Sequence, residues 1–440
     1  MKRLLFISKW KRFHPSAFSK FMALRAGEHV PVEELMLRQE QARQQLVRAA
    51  FTHTEFYRQH YESVGFGLGD IGKPGWFEQL PPVTKDHLRG HFEEMTDPAQ
   101  SQYRRISTTG GSTGVPTKTG YDGRVAEEVY SWRLQEWFGV NPWDDHAYVW
   151  RETRTSWKQR FINKALWWPT QHLKLDASFM TEELIRVFLR RYNRIRPALL
   201  QGYVGAISQL AQYVVDNNFD VWSPKFVWVT SAPLAPVQRK LIMDAFHAPV
   251  CDQYGSCEIR WIAQQCSECK GLHVNVEHVH LEYVDEANRP VPAGTYGRTL
   301  LTNLEDTVFP LIRYENGDRG RWLAEQCPCG RTLPVIDAVK GRESESFVLP
   351  SGKTINGEFL TTIFDATPEL VRGFRVIQHK DLSITVECVP SSKECIACIE
   401  AVISRFSNRI GGEVPVRCNI VHEIMHDRGK LRFVVSENAK

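Results

Sequence analysis

The spacing of apolar positions changes character along this chain, and the changes divide it. From Pro31, a first-turn proline, apolar residues recur at helical intervals. Leu35, Leu46 and Val47 lie on one side, and the pattern runs toward F-T-H-T-E-F-Y-R-Q-H-Y. A turn at L-P-P-V-T-K leads to a helix start at Thr84. Val125 to Phe138 is aromatic and amphipathic. Thr181 to Ile195 places Leu184, Val187, Phe188, Tyr192 and Ile195 on one predicted face, and Pro197 stops it. Phe226 to Val229 reads as a short apolar strand, Val237 to Phe246 as a helix, and a further strand runs into Cys251–Gly255. Strands alternating with helices predict α/β layers.

Beyond residue 270 the period shortens to two. His278 to Val284, Arg298 to Leu304 and Phe309 to Tyr314 read as extended segments. Gly341–Arg342 reads as a boundary. After it come a hairpin around Pro350–Gly352, a helix near Phe359, a strand pair from Val371 to Val389, a helix over Cys395 to Ile410 and a strand from Val414 to Ile424. The predicted architecture is a large α/β domain over residues 1–341, with a β-rich part, and a small α+β domain over residues 342–440.

Composition narrows the class. The chain has 440 residues, 42% hydrophobic and 24% charged, enough for two or three domains with a substantial core. A net charge of +4 is too small to argue for nucleic acid, and attraction to a membrane would need a local patch. The first residues, M-K-R-L-L-F-I-S-K-W-K-R-F, interleave cations with aromatics. Such a stretch suits either a helix packed on the main domain, the reading preferred here, or a weak membrane-surface contact. There is no apolar run long enough to span a bilayer and no signal-peptide core. The ten cysteines are therefore expected as reduced thiols in a cytoplasmic protein, with metal binding their foremost special use.

The candidate chemistry begins at S-T-T-G-G-S-T-G-V-P, residues 107–116. Gly110, Gly111 and Gly114 let the backbone bend so that several N–H groups converge on one anion, and Thr108, Thr109, Ser112 and Thr113 add hydroxyl donors. It is not a Walker A loop, because no Gly-Lys-Ser/Thr stands at the required spacing. Tyr254-Gly255-Ser256-Cys257-Glu258 follows a strand end, where an aromatic can stack on a base and a carboxylate can hold Mg²⁺. Arg313-Tyr314-Glu315-Asn316-Gly317-Asp318 sets an acid after a strand and a tight turn, able to accept two ribose hydroxyls. Gly341-Arg342-Glu343-Ser344-Glu345 and Asp427-Arg428-Gly429-Lys430 complete the set. Singly, each has a plain reading as a surface loop, a capped strand or a solvated charge. Their number and order carry more.

That order resembles the adenylate-forming (ANL) superfamily, and within it the phenylacetate–CoA ligase branch and its CapK-like relatives. The resemblance covers nearly the whole chain. T-G-G-S-T-G-V-P is similar to the family's phosphate loop, T-S-A-P-L at 230–234 to its adenine-pocket segment, and Y-G-S-C-E to its Tyr-Gly-x-x-Glu motif. P-L-I-R-Y-E-N-G-D is similar to its ribose-aspartate motif, G-R-E-S-E to its hinge, and D-R-G-K-L-R to its C-terminal lysine motif. Thr117 stands where many members carry lysine after the loop proline, with Lys118 one place late, and Ser344–Glu345 replaces the usual hinge aspartate.

The resemblance implies activation of a small-molecule carboxylic acid by ATP to an acyl-adenylate, then transfer to a nucleophile, foremost coenzyme A. An amine, sugar or cofactor acceptor is the alternative. It implies that Thr109, Gly110, Gly111, Ser112, Thr113 and Gly114 hold phosphates. Ser231, Ala232 and Pro233 line the adenine with Tyr254, Gly255 and Ser256. Glu258 binds Mg²⁺, Asp318 the ribose with Arg342 nearby, and Lys430, carried by a mobile small domain, serves adenylate formation.

The cysteines form a second group. Cys266-x-x-Cys269 with His273, and Cys327-Pro-Cys329-Gly330, have the spacing of knuckles for tetrahedral zinc in a strand-rich insert over about residues 266–330. Cys251, Cys257, Cys388 and Cys418 read as buried unpaired thiols, and Cys395 and Cys398 as helix core. Deazaflavin-adenylylating synthetases and other members of this branch resemble the chain here. On that alignment Cys266, His273, Cys327 and Cys329 are the ligands of a structural zinc and Cys269 is spare. A rival class remains, a zinc-containing interaction protein with an inactive nucleotide site.

Overall fold

The structure is a computed structural model. It describes residues 2–108, 118–150, 165, 167–177, 180–268, 271–339, 347–351, 354–355, 360, 363–364, 367–424 and 434–437. The chain forms two compact units. One comprises residues 1–9, 138–252 and 340–440, the other residues 10–137 and 253–339.

In the first unit, parallel strands lie in the order His172–Asp176, His146–Trp150, Leu199–Tyr203, Phe226–Thr230. Every residue of Phe226–Thr230 is buried, which is why this strand reads as an unbroken apolar run and not an alternating one. Helices Glu182–Ile195, Val204–Asp216 and Pro236–Phe246 supply the apolar cover, with Ile185, Phe188, Ile207, Leu210, Ile242 and Phe246 packed over Val149, Leu200 and Val227. Thr181 caps the first of these by accepting from the Leu184 N–H at 3.3 Å, and Pro236 opens the third.

The predicted face of helix Glu182–Ile195 is corrected. Leu184 and Val187 are exposed, and the buried stripe is Ile185, Phe188, Leu189 and Tyr192. Phe188 and Tyr192 lie on both stripes, and the helix is turned so that Ile185 and Leu189, not Leu184 and Val187, join them against the sheet.

The C-terminal part of this unit is a four-stranded sheet in the order Val416–Ile420, Ile384–Pro390, Val371–Gln378, Val434–Ser436. Helix Ile396–Arg409 covers it with Ile399, Val402 and Phe406. The same apolar cluster takes in Ala235 and Val237 at the start of helix Pro236–Phe246. Arg372 reaches Asp216 at 2.6 Å. Strands Phe347–Val348 and Thr354–Ile355 make the predicted hairpin, while the helix expected near Phe359 falls outside the described residues. Cys398 is exposed and Cys395 half-buried, so neither is the core residue the sequence suggested. Cys257 is likewise exposed.

The second unit joins helices Val32–His53 and Glu55–Glu62 to an antiparallel sheet of Val279–Val284, Gly297–Asn303 and Tyr314–Gly320. It also holds the short antiparallel strands Ala263–Gln264, Leu272–Val274 and Val335–Ile336, paired in that order. Phe309–Arg313 is not a strand, although its sequence is strand-like. Its backbone is satisfied by side chains and by isolated bonds to Asn303 and Val83 instead of a ladder. The Tyr57 hydroxyl donates to Pro310 O at 2.8 Å and accepts from Ile312 N at 3.2 Å, and Asn303 N donates to Leu311 O at 2.9 Å.

Arg313 closes that segment, fully buried and at φ 50°. It pairs with Glu282 at 3.1 Å and donates to Leu80 O at 2.6 Å and Glu78 O at 2.9 Å. Burial pushes the Glu282 carboxyl up, against the pull of Arg313. The L-P-P-V-T-K turn is thereby fixed beside the strand Tyr314–Gly320: Val83 N donates to Arg313 O at 3.1 Å and Glu315 N to Val83 O at 2.8 Å. Two motifs some 230 residues apart in sequence are neighbours (Val83 to Arg313 is 313 − 83 = 230).

Candidate functional site

The second unit gathers the candidate nucleotide residues around strand Tyr314–Gly320. Burial alternates along it, so Tyr314, Asn316 and Asp318 are buried while Glu315 and Gly317 are half-exposed. The register against its neighbour slips: Arg298 opposes Arg319 and Leu300 opposes Glu315. Two steps on one strand thus face four on the other. Gly317 sits in the excess at φ +84°, a conformation that favours glycine. Asp318 therefore lies inside a bulged strand and does not follow a strand and turn as the sequence suggested. The bulge aims its side chain at Tyr254.

Three polar groups meet there. The Tyr254 hydroxyl donates to Asp318 Oδ2 at 2.7 Å. Asn316 Nδ2 donates to the same oxygen at 2.6 Å and to the Tyr254 oxygen at 2.7 Å. The Asp318 N–H returns to Asn316 Oδ1 at 3.0 Å. Burial and the Asp318 carboxylate both hold the tyrosine well above its usual range, so it remains a donor. Charge-assisted bonds of this kind fix a carboxylate in one orientation. Asn316 was not singled out from the sequence. Its signal was the two-residue spacing from Asp318 on a strand with one buried face.

Tyr254 ends strand Val250–Tyr254, and Gly255 makes the turn that follows. A Cβ on Gly255 would lie 2.9 Å from Gln253 Nε2 and 3.1 Å from Trp261 N, so only glycine fits without displacement. Ser256 closes the turn, its Oγ accepting from Ile259 N at 3.0 Å. Glu258 is buried and accepts from the Tyr314 hydroxyl at 3.1 Å. The acid of one motif is thus held by the strand that carries the other. An oriented, buried carboxylate fits the donor type expected for a hard divalent cation.

Strands Arg104–Thr108 and Lys118–Asp122, which flank the glycine-rich stretch in sequence, form an antiparallel hairpin in register from Arg104↔Asp122 to Thr108↔Lys118. Thr109, Gly110, Gly111, Ser112, Thr113 and Gly114 lie outside the described residues. The base of the hairpin is pinned by Asp306, whose Oδ2 accepts from Asp122 N at 3.0 Å while Oδ1 accepts from Val308 N and Phe309 N. Arg260, two residues after Glu258, lies 4.3 Å over the Tyr121 ring and pairs with Glu127 at 2.8 Å. The hairpin and the Tyr-Gly-x-x-Glu turn are therefore neighbours. Ser231, Ala232 and Pro233 belong to the first unit, directly after strand Phe226–Thr230, with Ser231 at φ 74°. Arg342 and Lys430 also lie outside the described residues.

The Cys/His group assembles in the second unit. The ligand atoms of Cys266, His273, Cys327 and Cys329 all lie within 4.8 Å of one another. Cys266 Sγ is 3.5 Å from Cys327 Sγ, and Cys329 Sγ is 3.3 Å from His273 Nε2. Tetrahedral zinc with bonds of about 2.3 Å to sulfur and about 2.0 Å to nitrogen requires edges of roughly 3.5–3.8 Å, close to these. His273 Nδ1 donates to Leu333 O at 3.1 Å, which turns the Nε2 lone pair toward the thiols. Burial, reinforced by the neighbouring thiols, pushes Cys266 up to about 12, and burial lowers His273 to about 4. A cation would offset that penalty on the thiolates. Cys269 lies outside the described residues.

Comparison with known proteins agrees with the resemblance read from the motifs. Residues 347–437 match the family described as the CapK C-terminal domain. Protein CapK of Staphylococcus aureus is 26% identical over 262 residues, and the match spans 54% of this chain and 53% of that protein, about half of each. Among solved structures, 2-hydroxyisobutyryl-CoA ligase in the postadenylation state with R3-HIB-AMP aligns over 93% of this chain and 91% of its own, at 20% identity and a TM-score of 0.76. The anthranilate CoA ligase AuaEII with anthranoyl-AMP aligns over 74% and 64%, at 14% identity and a TM-score of 0.53. The amide bond synthetase McbA of Marinactinospora thermotolerans aligns over 76% and 67%, at 14% identity and a TM-score of 0.52. The fold is that of the adenylate-forming ligases, ending in a CapK-type C-terminal domain.

Proposed function

We propose that this chain, built on the adenylate-forming fold, uses ATP to convert a carboxylic acid into an acyl-adenylate and passes the acyl group to a nucleophile, foremost the thiol of coenzyme A. The observation that carries the reading is the buried Tyr254–Asn316–Asp318 array beside the Tyr314–Glu258 pair. It presents an oriented carboxylate and an aromatic next to a second oriented carboxylate, and a structural core seldom buries such a set without use.

In this reading Asp318 accepts the ribose hydroxyls, with Arg342 near them. Tyr254, Gly255 and Ser256 flank the adenine along with Ser231, Ala232 and Pro233. The loop residues Thr109 to Gly114, Thr113 among them, hold phosphate oxygens. Glu258 would hold Mg²⁺, which supplies charge neutralisation for the phosphates when bound. The Cys266, His273, Cys327 and Cys329 group holds a structural zinc, and residues 342–440 act as the mobile domain bearing Lys430. The catalytic contribution is positioning and electrostatic stabilisation.

ATP–pyrophosphate exchange with a panel of carboxylates tests the reading. Exchange that depends on one class of acid is expected, and absence of exchange with every acid overturns it. Thioester formation against amide formation then separates coenzyme A from an amine acceptor. Asp318→Ala removes two charge-assisted hydrogen bonds of about 1.5–3 kcal/mol each. The apparent KM for ATP should rise at least about tenfold with an unchanged circular dichroism spectrum. An unaltered KM would remove the ribose assignment.

A further inference from the structure

We propose that the first helix, Lys2–Phe13, together with Trp168, docks the protein on an anionic lipid bilayer. The helix, K-R-L-L-F-I-S-K-W-K-R-F, carries five cations and no acid. The whole chain has a formal charge of +4, so the other residues sum to −1 (4 − 5 = −1). The charge of this one element thus exceeds the net charge of the whole chain.

One side of the helix is already used. Phe6 and Trp10 are buried, Phe6 against Trp143 and Trp167, and Lys2 is neutralised by Asp145 at 2.7 Å. The opposite side carries Leu4, with Lys11 and Arg12 seven and eight residues on and so on the same face, all exposed. Leu4 is 73% exposed, the largest exposure among the large apolar residues described. Along the flank, Lys9 reaches the carbonyls of Ala165 and Trp168 at 2.8 and 2.5 Å, and its ammonium lies 5.2 Å from the Trp168 ring. That ring is 59% exposed.

A scattered exposed leucine needs no explanation. A leucine and a tryptophan displayed on and beside a purely cationic helix have the composition of an interfacial contact. The cations meet lipid phosphates, and the apolar tips enter the headgroup boundary. A single-stranded nucleic acid would stack a base on Trp168 but has no use for an aliphatic side chain, so the exposed Leu4 decides for a bilayer.

The test is cosedimentation of the full chain with phosphatidylcholine vesicles and with vesicles containing roughly one-third phosphatidylglycerol. Binding is expected only to the anionic vesicles and is expected to be lost at half-molar salt. Lys11→Gln with Arg12→Gln should weaken it roughly thirtyfold, about fivefold for each charge removed. Leu4→Ser and Trp168→Ser should weaken it while acid-dependent exchange and melting temperature stay unchanged. No binding to anionic vesicles overturns the proposal, as does equal binding to neutral ones. Binding undiminished in Leu4→Ser would reduce the helix to a plain polyanion site and overturn it too.

Discussion

Cys327→Ser is expected to lower the melting temperature by roughly 10 °C, about 4 kcal/mol at about 2–4 °C per kcal/mol for a unit of this size. The apparent KM for ATP should hardly move. The asymmetry follows from where the group sits. Cys266 follows strand Ala263–Gln264, His273 lies on Leu272–Val274, and Cys327 and Cys329 lie in the turn before Val335–Ile336. His273 pairs with both Gln264 and Val335 across those strands. Each pairing is only two residues long, so the ladders alone hold little.

A metal bound by all four side chains would close that sheet, and its binding energy would be folding energy. The four hydrogen bonds described for the Tyr254–Asn316–Asp318 array run among those three residues. Elemental analysis should find about one zinc per chain. A metal-free protein with the same melting temperature would sink the zinc assignment, and an equal loss of ATP affinity in Cys327→Ser would place the group in the active site instead.

Much of the α/β layering was legible because it depends on local pattern. Phe226–Thr230 is apolar on both faces, and Pro236 and Thr181 mark helix starts by chemistry that acts within one turn. What the sequence misread depended on partners far along the chain. Phe309–Arg313 has strand composition because Phe309, Leu311 and Ile312 are core. Its carbonyls and amides nonetheless bond to Tyr57, more than 250 residues away, and no periodicity reports that. Asp318 was found by its motif, but its bulge came from a register slip against Arg298 and Leu300, a property of two strands and not of one. The knuckle cysteines and His273 were visible in the spacing, whereas the choice of His273 with Cys269 left spare came only from the family resemblance.

Lys430→Ala is expected to slow adenylate formation by on the order of a hundredfold or more, the scale of losing one transition-state stabiliser. The residue falls between strands Val416–Ile420 and Val434–Ser436, which lie at opposite edges of the C-terminal sheet. The sheet that flanks it in sequence is held by the core of Phe374, Val376 and Val386, and Lys430 itself lies outside the described residues. A lysine after Asp427-Arg428-Gly429 could be only a solvated charge. If it meets the substrates, its ammonium offsets charge that builds on the α-phosphate as the carboxylate attacks, a stabilisation present in the transition state and weak in the ground state. The loss should then fall on kcat more than on the KM for ATP. Given a pre-made acyl-adenylate, the same variant should pass the acyl group to its acceptor at near wild-type rate, because in the proposed reading the small domain carries Lys430 away from the phosphate for that step. Equal losses in both half-reactions would mean that the fold or the docking of the small domain is damaged. No loss in either would leave Lys430 as the solvated charge of a loop.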